Sequence, residues 1–161
     1  MERQENDGWI RHNEPVQPGW IDYNGHMNVA YYVLAFDHAT DAVLDAVGLG
    51  ASYADASGMS IFIADMHVAY RREVHDGDML RFESRLIGYD DKRIHLFHTM
   101  FGGKSSEPED TNEIMCVHVD LGSRRPTALP RDRKGAVEAL WKAQKDLAVP
   151  AGVGRVIKSL R

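Results

Sequence analysis

The sequence predicts an α+β fold in which an antiparallel sheet packs against one long helix. One segment has apolar residues at helical spacing, and four later segments alternate apolar and polar residues. Only short turns separate these later segments, and consecutive strands joined by short turns pair antiparallel. A sheet with one apolar face must bury it, and a long helix lying across that face does so. We therefore expect five or six strands wrapped around a helix at residues 28–48.

The helix is predicted to begin after Asn28, a residue suited to cap its first turn, and to end near Gly48 or Gly50. It is the longest and most hydrophobic helix in the sequence, so we place it at the centre. Its apolar positions are Val29, Tyr32, Val33, Phe36, Thr40, Val43, Leu44 and Val47.

The other elements follow from alternation and turn residues. Residues 1–21 are expected to be irregular or short-stranded, because two prolines limit regular structure there. The predicted strands cover 60–74, 79–89, 92–101 and 111–121, a polar loop covers 102–110, and a second helix covers 130–147. In the first strand, one face is expected to carry Phe62, Ala64, Met66, Val68 and Tyr70.

Composition limits the class of protein. The chain has 161 residues with 19 Lys and Arg against 24 Asp and Glu, a net charge of -5 that disfavours a general nucleic-acid binder. Its single cysteine, Cys116, excludes an intrachain disulfide and a four-thiolate zinc site. No apolar run is long enough to span a membrane, and the N-terminus lacks the apolar segment of a secretory signal. We predict one cytoplasmic domain over residues 1–161, with a core at about 10–147 and a short basic tail at 148–161.

The loop before the long helix carries the candidate chemistry. It places Asp22, Asn24 and His26 at i, i+2 and i+4, with Gly25 among them. Unpaired N–H groups at a helix start can hold a developing oxyanion. A carboxylate beside such a site suggests acyl transfer, with Asp22 as base or nucleophile.

The run Asp-x-Asn-Gly-His-Met-Asn, followed by a long helix and four strands, resembles the hotdog-fold thioesterases, the group with 4-hydroxybenzoyl-CoA thioesterase and the plant acyl-ACP thioesterases. The resemblance implies that Asp22 is the nucleophile or base. It matches Asn24 and His26 to an Asn and a His of the plant-type enzymes, and Glu73 to a functional Glu in a Tyr-Arg-Arg-Glu segment. It also implies oxyanion-holding N–H groups at Asn28 and Val29.

The implied reaction is hydrolysis of an acyl-CoA to acid and CoA without a metal or other cofactor. The family implies a homodimer or a dimer of dimers, with active sites at the protomer interface. A narrower likeness is to the thioesterases of carnitine breakdown, which act on betainyl-CoA. It rests on the segments 20–37, 70–78, 91–95 and 118–120.

Several residues are candidates for binding such a substrate. Trp20 and Tyr23 flank Asp22 and can surround a trimethylammonium group, and Tyr70 opens the Tyr-Arg-Arg-Glu segment. Among the basic residues at strand ends, Arg124 and Arg125 are the preferred contacts for the CoA phosphates, because Arg binds phosphate oxygens in a bidentate manner.

Other interpretations stay open at this stage. Asp22 can simply cap a turn, and His26 can be structural. The strand histidines His67, His95 and His98, with His118, share no tight ligand spacing, so we predict no metal site and allow that they line a dimer face. The rival functions are a hotdog dehydratase or isomerase and a non-catalytic acyl-CoA binding protein.

Overall fold

A computed structural model describes residues 7–108 and 110–160 as one antiparallel sheet with three α-helices. The strands are β1 (Ile10–Pro15), β2 (Met59–Ala69), β3 (Met79–Tyr89), β4 (Arg93–Phe101), β5 (Asp110–Asp120) and β6 (Arg125–Pro126). The helices are α1 (Val29–Ala46), α2 (Ala51–Ser57) and α3 (Arg131–Gln144), and a 3-10 turn covers Pro18–Trp20. Residues 1–6, Glu109 and Arg161 lie outside the described residues, and so do the parts of the predictions for residues 1–21, 102–110 and 148–161 that fall on them.

The strand order is β1-β3-β4-β5-β2, with β6 paired to β5, so β1 and β2 form the two edges. Helix α1 covers one face of this sheet and buries its apolar stripe from Tyr32 to Leu44 against it. Asn28 caps the helix, because its side-chain Oδ1 accepts the Ala30 N–H at 3.0 Å. The predicted α+β architecture and central helix are confirmed.

The first predicted strand is too long, and one helix was missed. β2 ends at Ala69, because the following backbone leaves the sheet: the Arg71 N–H donates to the Asp110 side chain, and Val74 O accepts the Met27 N–H. Helix α2 has only seven residues and directly precedes β2, where the sequence analysis predicted no element.

The predicted apolar face of β2 is correct for Met66 and Val68 but wrong for Phe62, because a bulge at Ala64 interrupts the pairing of β2 with β5. One extra residue exchanges the two faces of a strand beyond it. Ile61 therefore packs against the core together with Met66 and Val68, whereas Phe62 lies under an arginine guanidinium instead.

His98 is a core residue rather than part of a dimer face. Its Nε2 lies 3.1 Å from Thr40 Oγ1, and its Nδ1 lies 2.7 Å from Ser84 Oγ. The Thr40 hydroxyl already donates to the Phe36 carbonyl, so it accepts from Nε2–H, and Ser84 donates to Nδ1. Burial lowers the pKa of His98 to about 3, so the ring is neutral at physiological pH.

The C-terminal segment packs back onto the sheet. Gln144, at the end of α3, accepts the Leu86 N–H at 2.7 Å, next to a bulge in β3. Beyond it, an Arg85 Nη donates to the Ala148 carbonyl, and the Gly154 N–H donates to the Glu113 carboxylate at 2.8 Å. Packing thus extends past the predicted core limit at residue 147. Within the described residues, every helix is too short or too polar to cross a membrane.

Candidate active site

The loop between the 3-10 turn and α1 is closed by its own backbone. The Asp22 N–H donates to the His26 carbonyl at 3.1 Å, and the Gly25 N–H donates to the Asp22 carbonyl at 3.0 Å. Gly25 has a φ of 82°, a left-handed conformation that favours glycine. The Asn-Gly pair thus folds a tight turn that holds the predicted carboxylate, amide and imidazole in one short loop.

The Asp22 carboxylate is half-buried and tied to the helix start. Its Oδ1 accepts the Asn24 N–H at 2.7 Å, and its Oδ2 lies 3.4 Å from Asn28 Nδ2. Because Asn28 also caps α1, one side chain joins the carboxylate to the first helical turn. Asp22 therefore does organise a turn, and an ionised carboxylate retains further acceptor sites beyond these two contacts.

His26 has a defined tautomer. Its Nδ1 lies 3.1 Å from the Met27 carbonyl oxygen, which can only accept, so Nδ1 carries the proton. In the neutral ring, Nε2 is then unprotonated and able to accept a proton. The Asn24 side chain is exposed beside it in the same loop.

The two predicted oxyanion donors differ. The Asn28 N–H donates to the Trp20 carbonyl at 2.8 Å, which removes it from the predicted pair. Val29 is the first residue of α1, and within residues 7–108 and 110–160 its N–H has no hydrogen-bond acceptor. The positive end of the helix dipole adds to this free donor.

A cleft of about 320 Å³ opens at this helix start. It lies between the beginning of α1 and the segment that follows β2, and its lining residues are His26, Met27, Val29, Tyr32, Tyr70, Arg71, Arg72 and Glu73. The predicted site residues His26, Val29, Tyr70 and Glu73 are therefore brought together. Asp22 and Asn24 belong to the adjacent loop and do not line the cleft.

Two tyrosines form the aromatic part of the cleft. The rings of Tyr32 and Tyr70 lie 5.2 Å apart at 87°, an edge-to-face pair. The Tyr70 hydroxyl donates to the Val29 carbonyl at 3.4 Å. Burial, and then the charge of Asp110, raises the pKa of Tyr70, so its phenol stays protonated. Sequence periodicity assigned Tyr32 only to the core, because apolar spacing does not distinguish a core position from a cleft wall.

Four predicted substrate contacts lie away from the cleft in the described chain. Trp20 stacks on Tyr31 with ring centroids 5.6 Å apart, and Tyr23 is 97% exposed. Arg124 and Arg125 follow the far end of β5, roughly 30 Å of strand from the end that contacts Arg71. The arginines at the cleft are instead Arg71 and Arg72, which directly precede Glu73 in the sequence.

The remaining strand histidines do not assemble into a metal site in the described part of the chain. His118 is buried, donates from Nδ1 to a backbone carbonyl at 3.0 Å and accepts from the Tyr53 hydroxyl at 2.9 Å. His67 and His95 line a shallow pocket on the sheet, where His95 Nε2 lies 2.7 Å from the Glu113 carboxylate.

A curled antiparallel sheet around one long helix, with a cleft at the helix start, is the hotdog arrangement of thioester hydrolases. The chain belongs to the thioesterase-like superfamily, whose family model matches residues 16–140.

Known proteins agree with this assignment. A betainyl-CoA thioesterase of Pseudomonas aeruginosa is 40% identical over 89% of this chain and 90% of its own length. An L-carnitine dehydrogenase/betainyl-CoA thioesterase of Agrobacterium fabrum is 38% identical over 93% of this chain, which spans only 30% of that longer protein.

Solved structures give the same result for the fold. A hypothetical protein of Staphylococcus aureus, solved in complex with CoA, has a TM-score of 0.87 and 26% identity and covers 94% of this chain and 96% of its own. A putative thioesterase of Pseudomonas putida has a TM-score of 0.81 and 30% identity, covering 95% and 97%. The predicted hotdog fold and thioester hydrolase class are confirmed.

Proposed function

We propose that this protein hydrolyses betainyl-CoA to betaine and CoA, with Asp22, Asn24 and His26 in the catalytic steps and with Glu73, the fourth residue predicted as catalytic, in substrate recognition. The observation that carries the proposal is the cleft at the free Val29 N–H, lined by His26 and adjoining the Asp22 loop. The relatives from Pseudomonas aeruginosa and Agrobacterium fabrum support the choice of acyl group through their names.

In the proposed reaction, the thioester carbonyl oxygen accepts the Val29 N–H at the positive end of α1. Asp22 either removes a proton from an attacking water, or attacks the carbonyl carbon and forms a mixed anhydride that water then hydrolyses to the acid and the free Asp22 carboxylate. In both routes Asn24 orients the water from the exposed side of the loop. The C–S bond then breaks, and the CoA thiolate takes up a proton. His26 Nε2 holds the proton that passes between water and sulfur, which its tautomer allows.

Recognition of the trimethylammonium group is assigned to the cleft tyrosines and Glu73. Tyr32 and Tyr70 offer aromatic surfaces, and each cation–π contact contributes about 0.5 to 2 kcal/mol. The exposed Glu73 carboxylate adds a negative charge at the same cleft. Tyr32, Tyr70 and Glu73 thus replace Trp20 and Tyr23 as the proposed contacts of the trimethylammonium group.

Arg71 and Arg72 are proposed to contact the CoA phosphates, because they are the arginines that line the cleft. The structural neighbour from Staphylococcus aureus, solved in complex with CoA, supports CoA binding by this fold.

A homodimer, or a dimer of such dimers, is proposed as the working form in the cytoplasm. β2 is an edge strand with the exposed Ile63, and an open edge can pair with a second copy. Antiparallel pairing of two β2 strands sets the Met59 end of one beside the Ala69 end of the other. Within each copy, the Arg124 guanidinium lies 5.0 Å from the centre of the Phe62 ring. This pairing therefore brings Arg124 and Arg125 of the second copy towards Tyr70 of the first. Light scattering should give at least twice the 18.1 kDa chain mass, and a monomer would contradict this.

The substrate is tested by thiol release from betainyl-CoA and from 3,3-dimethylbutanoyl-CoA, its neutral isostere with carbon in place of nitrogen. We expect kcat/KM to favour betainyl-CoA at least tenfold, about 1.4 kcal/mol, and Glu73→Gln to reduce this ratio. Equal rates on both esters would contradict cation recognition but leave thioester hydrolysis standing. No thiol release from any acyl-CoA despite CoA binding would overturn hydrolysis itself.

A further inference from the structure

Two imidazoles and a carboxylate meet between the edge strand β1 and helix α1. His12 and Glu14 are two residues apart on β1 and share one face, and His38 comes from α1. Glu14 Oε1 lies 3.2 Å from His12 Nε2 and 2.9 Å from His38 Nδ1, and Glu14 Oε2 lies 3.0 Å from His38 Nδ1. One ligand atom from each side chain lies within 4.8 Å of the other two.

These separations suit a tetrahedral ion. Bonds of about 2.0 to 2.2 Å place the donor atoms of tetrahedral zinc roughly 3.3 to 3.5 Å apart. The three side chains therefore need only small displacements to bind one ion. Two imidazoles and a carboxylate are ligands of zinc and related transition metals, whereas calcium and magnesium take oxygen ligands.

The cluster is reachable from solvent and lies in acidic surroundings. The exposed side-chain fractions are 27% for His12, 15% for Glu14 and 37% for His38, so an ion can enter and keep a water ligand. Asp37 and Asp41 lie next to His38 on α1 and are exposed. Their negative charge favours retention of a cation.

We propose that His12, Glu14 and His38 bind one divalent transition-metal ion, preferentially zinc, which holds β1 against α1. His38 is nine residues beyond Val29, about 13 Å along the helix, so this site is separate from the cleft. The ion is structural and takes no part in the proposed hydrolysis. It crosslinks an edge strand to the helix whose first turn carries the candidate active site.

The test is titration of chelator-treated protein with zinc chloride by calorimetry, with cobalt(II) absorption as a report of coordination geometry. We expect one ion per chain and a tetrahedral cobalt spectrum. His12→Gln, His38→Gln and Glu14→Gln should each weaken binding at least tenfold, and Glu14→Gln retains the size of the side chain. His95→Gln is the matched control, because it removes another half-buried imidazole that contacts a glutamate.

A second readout is thermal stability. Free zinc at a hundred times the wild-type Kd should raise the Tm of the wild type by roughly 5 to 10 °C, and should raise the Tm of His38→Gln by about half of that or less. Absence of stoichiometric binding would overturn the proposal. Equal affinity in the wild type and all three cluster variants would overturn it as well, and so would loss of binding only in His95→Gln.

Discussion

Replacing Asn28 tests whether one side chain couples the start of α1 to the Asp22 carboxylate. Asn28 Oδ1 caps the helix at the Ala30 N–H, and Nδ2 lies 3.4 Å from Asp22 Oδ2. Asn28→Ala removes both contacts. Asn28→Ser retains a capping oxygen but removes the amide Nδ2 that reaches Asp22, so the two variants separate capping from positioning.

The expected magnitudes follow from the two distances. Loss of a good cap costs about 1 kcal/mol, which lowers the Tm of a chain of this size by about 2 to 4 °C. The contact to Asp22 is long for a hydrogen bond, so its loss costs about 0.5 to 1.5 kcal/mol, or roughly 2- to 13-fold in kcat. Asn28→Ala should show both effects. Asn28→Ser should show the loss in kcat with wild-type stability to within about 0.5 kcal/mol.

Urea unfolding measures the stability of both variants, and thiol release from betainyl-CoA measures kcat. An Asn28→Ala protein with the same unfolding free energy as the wild type would refute the capping role. Full activity in Asn28→Ser would refute the coupling between Asn28 and Asp22.

Three further predictions concern the core and the cleft. Lowering the pH from 7 to 5 should reduce the unfolding free energy of the wild type by about 2 kcal/mol and should not cause this loss in His98→Gln. The reason is that the unfolded imidazole, with a pKa near 6.5, binds a proton in this pH range, whereas folded His98, with a pKa of about 3, stays neutral. Urea unfolding at both pH values checks this, and parallel losses in both proteins would contradict it. Tyr70→Phe should change kcat/KM for betainyl-CoA less than threefold, because it keeps the aromatic ring. Tyr70→Leu should lower the preference for betainyl-CoA over its neutral isostere by roughly 2- to 30-fold. An unchanged preference in Tyr70→Leu would count against aromatic recognition. Arg71→Gln and Arg72→Gln should raise KM for acyl-CoA but leave acyl-pantetheine, which lacks the phosphates, unaffected, and equal effects on both substrates would disprove phosphate contact.

Local features were predictable from the sequence because neighbouring residues determine them. Asn28 caps its own helix, and the Asn24-Gly25 pair needs only its own turn geometry. The helix and three of the four long strands were therefore placed to within about two residues at each end.

Features that depend on distant partners were not predictable. The bulge at Ala64 arises from pairing with β5, so alternation along β2 predicted the wrong face for Phe62. The role of Tyr32 in the cleft depends on the backbone after β2, which was predicted to continue the strand. His38 meets His12 and Glu14 only because β1 packs against α1.

The most direct test of the account is free-thiol release from betainyl-CoA by the wild type and Asp22→Asn, with Asp55→Asn on α2 as a control for the loss of an exposed carboxylate. We expect Asp22→Asn to lower kcat by roughly 100- to 10,000-fold, because the amide can neither accept a proton nor attack the carbonyl. Asp55→Asn should keep the wild-type rate. An Asp22→Asn protein as fast as the wild type would contradict the assignment of this loop as the catalytic centre.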